Sequence, residues 1–223
     1  YPSDQPFPSV EKDLLRMILE CAGREHVLGV MSYDEPWWRN LFEPSKKLYR
    51  RVKEIDPSLP VFMVHGPLPA VSLETGTERP VTPEEVRYYF DEVKKYEPYA
   101  DIHGFDIYPI PAEIAKMTTP YRKGAVVLDH RDAVADYLKW LRANMGGKPY
   151  FIVLQAFGLD DVHDKWLGQS TKGVRKPTMT ELKEMVETAK SEGSSYIMWW
   201  GQSFLQEDDL WFWKDILEVS KTL

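Results

Sequence analysis

The sequence holds one cysteine, Cys21, so no disulfide can form within the chain. The cysteine count leaves the compartment open. Cys21 falls on the apolar side of an expected helix and reads as a small core residue. No apolar run approaches the ~20 residues that a membrane-spanning helix needs. Positive charge is scarce: 28 Lys and Arg stand against 35 Asp and Glu, for a net charge of −7. These cations are scattered, which argues against a nucleic-acid footprint. No glycine-rich phosphate fingerprint follows an apolar run, so nucleotide-binding sheets lose support. There is no repeat, no low-complexity segment and no interdomain linker. No signal sequence is present, and a start at Tyr1 reads as a processed chain or a fragment.

Aromatic residues are plentiful, with 8 Trp, 12 Tyr and 9 Phe. Most of the Trp fall in loops or beside expected strand ends: Trp37, Trp38, Trp166, Trp199, Trp200, Trp211 and Trp213. Flat rings with a polar edge suit the apolar faces of sugars. The plainer reading is that a large core also needs Trp.

Five short apolar runs read as buried strands: residues 27–33, 60–66, 101–109, 149–157 and 195–200. They are nearly continuous in apolar residues, as parallel strands covered on both faces are. Helical periodicity fills the intervals. Val10, Leu14, Met17, Ile18 and Cys21 form one stripe, with Ser9 as N-cap and Gly23 as stop. Leu48, Val52 and Ile55 form a second. Thr82 and Glu85 make a capping box with Pro83 at the first helical position, ahead of Val86, Phe90 and Val93. A fourth helix ends at Gly146. A fifth turns Leu182, Met185, Val186 and Ala189 inward and stops at Gly193. A last helix lies within residues 207–221.

This alternation predicts repeated βα units and a parallel sheet. The 223 residues make one domain with a sizeable core. A closed eight-fold barrel typically needs ~250 residues. With five strands in hand, the expected fold is α/β, a TIM (β/α)8-type barrel lacking its first three strands. Residues 1–223 are then a single barrel domain or its C-terminal portion. Long loops after two strands, residues 66–80 and 158–177, are of a length that serves or covers a site.

At this point the motifs carry a resemblance. "VLGVMSYDEPWW" (27–38) resembles the end of the fourth strand in clan A (β/α)8 glycoside hydrolases, in the branch with Asp-Glu-Pro. "ADIHGFDIYPI" (100–110) is similar to the sixth strand of that branch, and "KPYFIVLQAFG" with "SYIMWWG" to its seventh and eighth. The resemblance implies hydrolysis of O-glycosidic bonds in an oligo- or polysaccharide, an extracellular or cell-surface location and no cofactor. The implied partners are the saccharide and another chain or segment supplying the missing strands. Neither nucleic acid nor a membrane span is implied. One departure is chemical: the seventh strand of such enzymes ends in a nucleophilic Glu, and here Gln155 stands nearest.

Glycoside cleavage uses two carboxyl groups, one protonated and one ionised. Barrel enzymes gather such groups at the C-terminal strand ends. Glu35 is the candidate general acid, its pKa raised by a Trp-lined pocket and by the neighbouring Asp34. The competing reading has Asp34 and Glu35 capping a helix or pairing with Arg39. Asp106 is the candidate partner, held by Tyr108. Candidate substrate contacts are Asp34, Trp37, Trp38, His65, Tyr108, Gln155, Trp199, Trp200 and Gln202. His103 reads as a satisfied core histidine. "DDVHD" (160–164) offers hard ligands without the calcium-loop pattern and reads as a solvated loop, so no metal is expected. Two other functions fit the same residues: a carbohydrate-binding pseudoenzyme, motivated by Gln155, and a structural or assembly protein on a barrel remnant.

Overall fold

A computed structural model describes residues 11–69, 81–159, 175–201 and 210–222. Five parallel strands form one curled sheet in the order β1 (Val30–Asp34), β2 (Val61–His65), β4 (Ile102–Ile107), β6 (Tyr150–Gln155) and β7 (Tyr196–Trp200). The helices are α1 (Glu11–Ala22), α2 (Phe42–Ile55), α3 (Pro83–Lys94), α4 (Ala112–Ala115), α5 (His130–Asn144), α6 (Met179–Ser191) and α7 (Leu210–Ser220). The result is a partial barrel, with β1 and β7 as the free edges of the described sheet. No described helix is long and apolar enough to cross a membrane.

All five expected strands are present and parallel. Side chains alternate between two faces, as strand geometry requires. Phe62 and Val64, Ile102, Phe151 and Val153 meet on the concave face, beside Tyr196, Met198 and Trp200. Met63, Phe105, Ile107, Ile152 and Leu154 point outward into the helical layer. Burial on both faces explains the unbroken apolar runs of the three central strands.

Local signals place the helices. Thr82 accepts from the Glu85 amide while the Glu85 carboxylate accepts from the Thr82 amide, and Pro83 opens α3. Thr178 and Glu181 repeat the capping box at α6, and Leu182, Met185, Val186 and Ala189 are buried as expected. Gly193 ends that unit with a left-handed backbone, φ 81°.

Helix α1 differs from its expected facing. Leu15 and Leu19 are the residues packed on the core, whereas Met17, Ile18 and Cys21 are exposed. Cys21 is therefore a surface thiol rather than a core residue. Among the described residues, the side of α1 that carries Leu15 and Leu19 is the one packed on the core. A short antiparallel pair, β3 (Leu68–Pro69) with β5 (Met117–Thr118), joins the segments that follow β2 and β4.

Candidate active site

The end of β1 divides its two acids. A bulge between Met31 and Asp34 shifts the register against β2, which re-aims the side chains that follow. Glu35 then takes a left-handed backbone, φ 44°, unusual for a residue with a side chain. Such conformations cost of order 1 kcal/mol or more and cluster at functional sites. The turn closes with Trp38 N donating to Glu35 O at 3.1 Å and Leu41 N to Pro36 O at 2.8 Å. Asp34 stays exposed and pairs with Arg39 at 3.3 Å. Glu35 turns the other way, over the sheet end, to within hydrogen-bonding reach of the Asp106 carboxyl.

Asp106 lies on the concave face of β4 and is buried, with 6% of its surface exposed. Tyr108 lies within hydrogen-bonding reach of its carboxyl. Its Oδ1 is buried and has no hydrogen-bond partner among the described residues. Burial pushes the Asp106 pKa well above the carboxylate range, and the negative charges of Glu35 and Asp34 push the same way. Glu35 is raised too, first by burial and then by Asp34, with Arg39 opposing. Two neighbouring carboxyls shielded from water disfavour a second negative charge, so the protonation of one is coupled to that of the other.

Aromatic rings flank this pair on two sides. Trp37 and Trp38 meet edge to face at 4.6 Å, and both rings contact Tyr89. Trp37 is partly buried against the helical layer, while Trp38 is exposed. Tyr108 stacks on Trp200 at 5.3 Å, and Phe157 closes the edge of both rings.

Several candidate residues serve elsewhere. The Gln155 amide is fully buried; its Oε1 accepts from Ile110 N at 3.0 Å. Its Nε2 donates to Ile110 O at 2.7 Å and to Phe157 O at 3.1 Å. Gln155 thus clamps the segments after β4 and β6. Trp199 faces the helical layer and donates from Nε1 to Ser220 Oγ at 2.9 Å. His65 points away from the concave face and stacks on His103, its Nε2 3.2 Å from His103 Nδ1. Gln202, Trp166 and the 160–164 segment lie outside the described residues.

Sequence reasoning did not single out Gly66 and Tyr89. The buried Tyr89 hydroxyl donates to Gly66 O. Only the Tyr-rich stretch of α3 hinted at such a post, and nothing in the sequence showed where it would reach.

No protein-family model matches the sequence, and no curated protein matches it in sequence. Among solved structures, the chain overlays a Bacteroides thetaiotaomicron protein provisionally assigned as an alpha-L-fucosidase. Their TM-score is 0.54 at 12% identity, over 93% of this chain and 61% of that one. The chain thus spans less than two thirds of that structure. Bee venom hyaluronidase overlays with a TM-score of 0.44 at 12% identity, over 98% of this chain and 64% of that one. Beta-methylaspartase from Clostridium tetanomorphum gives 0.41 at 9%, over 94% and 37%. Scores that low bear on neither fold nor activity. The first overlay bears on fold alone: this chain is similar in fold to that protein over 61% of its length.

Proposed function

We propose that the chain hydrolyses O-glycosidic bonds of an oligo- or polysaccharide, with Glu35 and Asp106 as its acid–base pair. The observation that carries this reading is the meeting of these two carboxyls at the C-terminal end of a parallel sheet. In this reading Glu35, the half-buried member, meets the glycosidic oxygen and delivers the shared proton. The pair is then left doubly negative beside the sugar carbon where positive charge develops; a water forms the new bond to that carbon, and its proton returns to the pair. Negative charge fixed in that place lowers the barrier. Trp38 and the Trp200–Tyr108 stack supply faces for sugar rings, and Trp37 and Asp34 border the approach. No metal or cofactor enters the scheme, and the location in this reading is extracellular or at the cell surface.

Further strands, from another chain or segment, would close the barrel. The support is the surface at the two edges. Met31 on β1 is 46% exposed, and every residue of β7 is only half-buried, while β2 and β4 are buried throughout. Met17 and Ile18 of α1, and Leu210, Trp211 and Leu217 of α7, are exposed on the helices nearest those edges.

The test is an oligo- and polysaccharide hydrolysis screen on wild type and Glu35→Gln, with products read by mass spectrometry. Wild-type product with at least a ~10²-fold loss in the variant is expected, since general acid catalysis contributes 10²–10⁴-fold. An active enzyme indifferent to Glu35→Gln would remove the assignment. A second reading, saccharide binding without turnover, draws on Gln155, whose amide is committed to backbone where the resemblance expects a carboxylate. Saccharide binding weakened by Trp200→Ala, with no product from any ligand bound, would favour it.

A further inference from the structure

We propose that Gly66 is a positioning residue: its missing side chain leaves the space in which Glu35 reaches Asp106. The inference rests on the carboxyl pair assigned above. Strand β2 lies between β1 and β4, so the two acids belong to strands that do not pair. His65 pairs with Phe105, which puts Gly66 level with Asp106 at the next position along each chain. The Glu35 side chain must therefore cross β2 at Gly66.

The distances agree. A Cβ built on Gly66 would stand 2.4 Å from Glu35 Oε1 and 2.9 Å from its Cδ. It would also stand 2.7 Å from Trp38 Nε1. Nonbonded atoms settle at roughly 3.5–4.0 Å, so no side chain fits there while Glu35 holds its place. Backbone freedom is not the reason for glycine at this position, because Gly66 does not adopt a left-handed φ. Alanine would suit the backbone and fail on space alone.

The backbone at Gly66 is also held from behind. Tyr89 donates its hydroxyl proton to Gly66 O. Two residues on, Tyr137 Oη accepts from Leu68 N at 2.9 Å and donates to Thr118 O at 2.8 Å. Both tyrosines are fully buried. With the strand end pinned, the parts free to yield to a methyl group are the tip of Glu35 and the exposed Trp38 ring. The fold tolerates that motion, but the contact with Asp106 does not.

Gly66→Ala in the full chain tests this. The carboxyl carbons of Glu35 and Asp106 are followed by NMR through a pH titration, beside thermal unfolding and, on a glycoside the wild type cleaves, steady-state kinetics. The expected result is a folded variant in which the two titrations lose their coupling and the Glu35 midpoint falls toward the ordinary range. kcat falls on the order of 10²-fold, the cost of a ~1 Å misplacement, with KM little changed. A wild-type titration in the variant overturns the proposal. A double-mutant cycle gives a second readout independent of activity. Gly66→Ala should lower Tm clearly when Glu35 is present and much less in Glu35→Ala, and equal losses in both backgrounds overturn the proposal. If the titration and the cycle respond as expected in a protein that cleaves no saccharide, the positioning role stands and the glycosidase reading falls.

Discussion

Glu35, just beyond β1, lies against Asp106 of β4 although β2 separates their strands. The contact and the burial around it favour a protonated Asp106 carboxyl, and that has a stability cost. The folded-state pKa of Asp106 is raised well above its unfolded value. The stability tied to this group is therefore fully present below the unfolded pKa, near 3.9, and is lost as pH rises through the folded one. Asp106→Asn removes that loss. We expect the variant to exceed wild type in stability at about pH 7, with the difference shrinking toward about pH 4. Urea unfolding at both pH values checks it, and a pH-independent difference would contradict it.

Gln155→Glu restores on paper the carboxylate that the resemblance expects. The structure predicts damage instead. Nε2 donates to two carbonyls, Ile110 O and Phe157 O, and a carboxylate oxygen in its place would face both as an acceptor. Two lost donations and a buried charge cost about 3–5 kcal/mol. The urea midpoint should fall accordingly, without any gain in hydrolysis.

The His65–His103 pair predicts acid sensitivity. Glu97 O can only accept, so His103 Nε2, 3.2 Å away, must donate to it. His103 Nδ1 is then the acceptor and His65 Nε2 the donor. That leaves His65 Nδ1 as a bare buried lone pair. The rings are closed in by Tyr96 and Phe105, and Lys148, itself paired with Glu97 at 2.8 Å, adds positive charge. Burial first, with Lys148 adding to it, pushes His103 down to about 4, and burial pushes His65 well down too. Depressed histidines stabilise the fold above the unfolded pKa near 6.5, and that contribution is lost as pH falls through the folded value. For His103 alone the loss is about 3 kcal/mol between about pH 6.5 and pH 4. His103→Phe should flatten this part of the urea-midpoint profile, and an unchanged slope would remove the assignment.

The sheet was legible because both of its faces are covered: Phe62, Met63 and Val64 are all buried, so the run carries no polar interruption. The capping box at Thr82 was legible because its partners lie three residues apart. Glu35 and Asp106 stood out as carboxyls at strand ends. What escaped was facing. Trp199 and His65 also sit at strand ends, but single-residue alternation decides which side of the sheet each serves, and an apolar run on both faces hides that alternation. Gln155 keeps to the concave side with Phe151 and Val153, and backbone groups of other segments take up its amide. Gly66 escaped because its role depends on the reach of a side chain from another strand. Cys21 was misplaced because the periodicity of α1 does not say which of its flanks has a neighbour.

Each strand of the curled sheet is hydrogen-bonded only to the strands beside it, and among the described residues both ends of the row are open. Such an array resembles a short stack of repeats, in which the outer members lean on one neighbour and the inner ones on two. Amide hydrogens should accordingly exchange fastest in β1 and β7 and slowest in β4, through partial openings rather than one global event. Glu35 follows β1, whereas Asp106 belongs to β4. The two halves of the carboxyl pair are thus anchored in the least and the most persistent parts of the sheet, and fraying at one edge would part them while the rest of the protein stays folded.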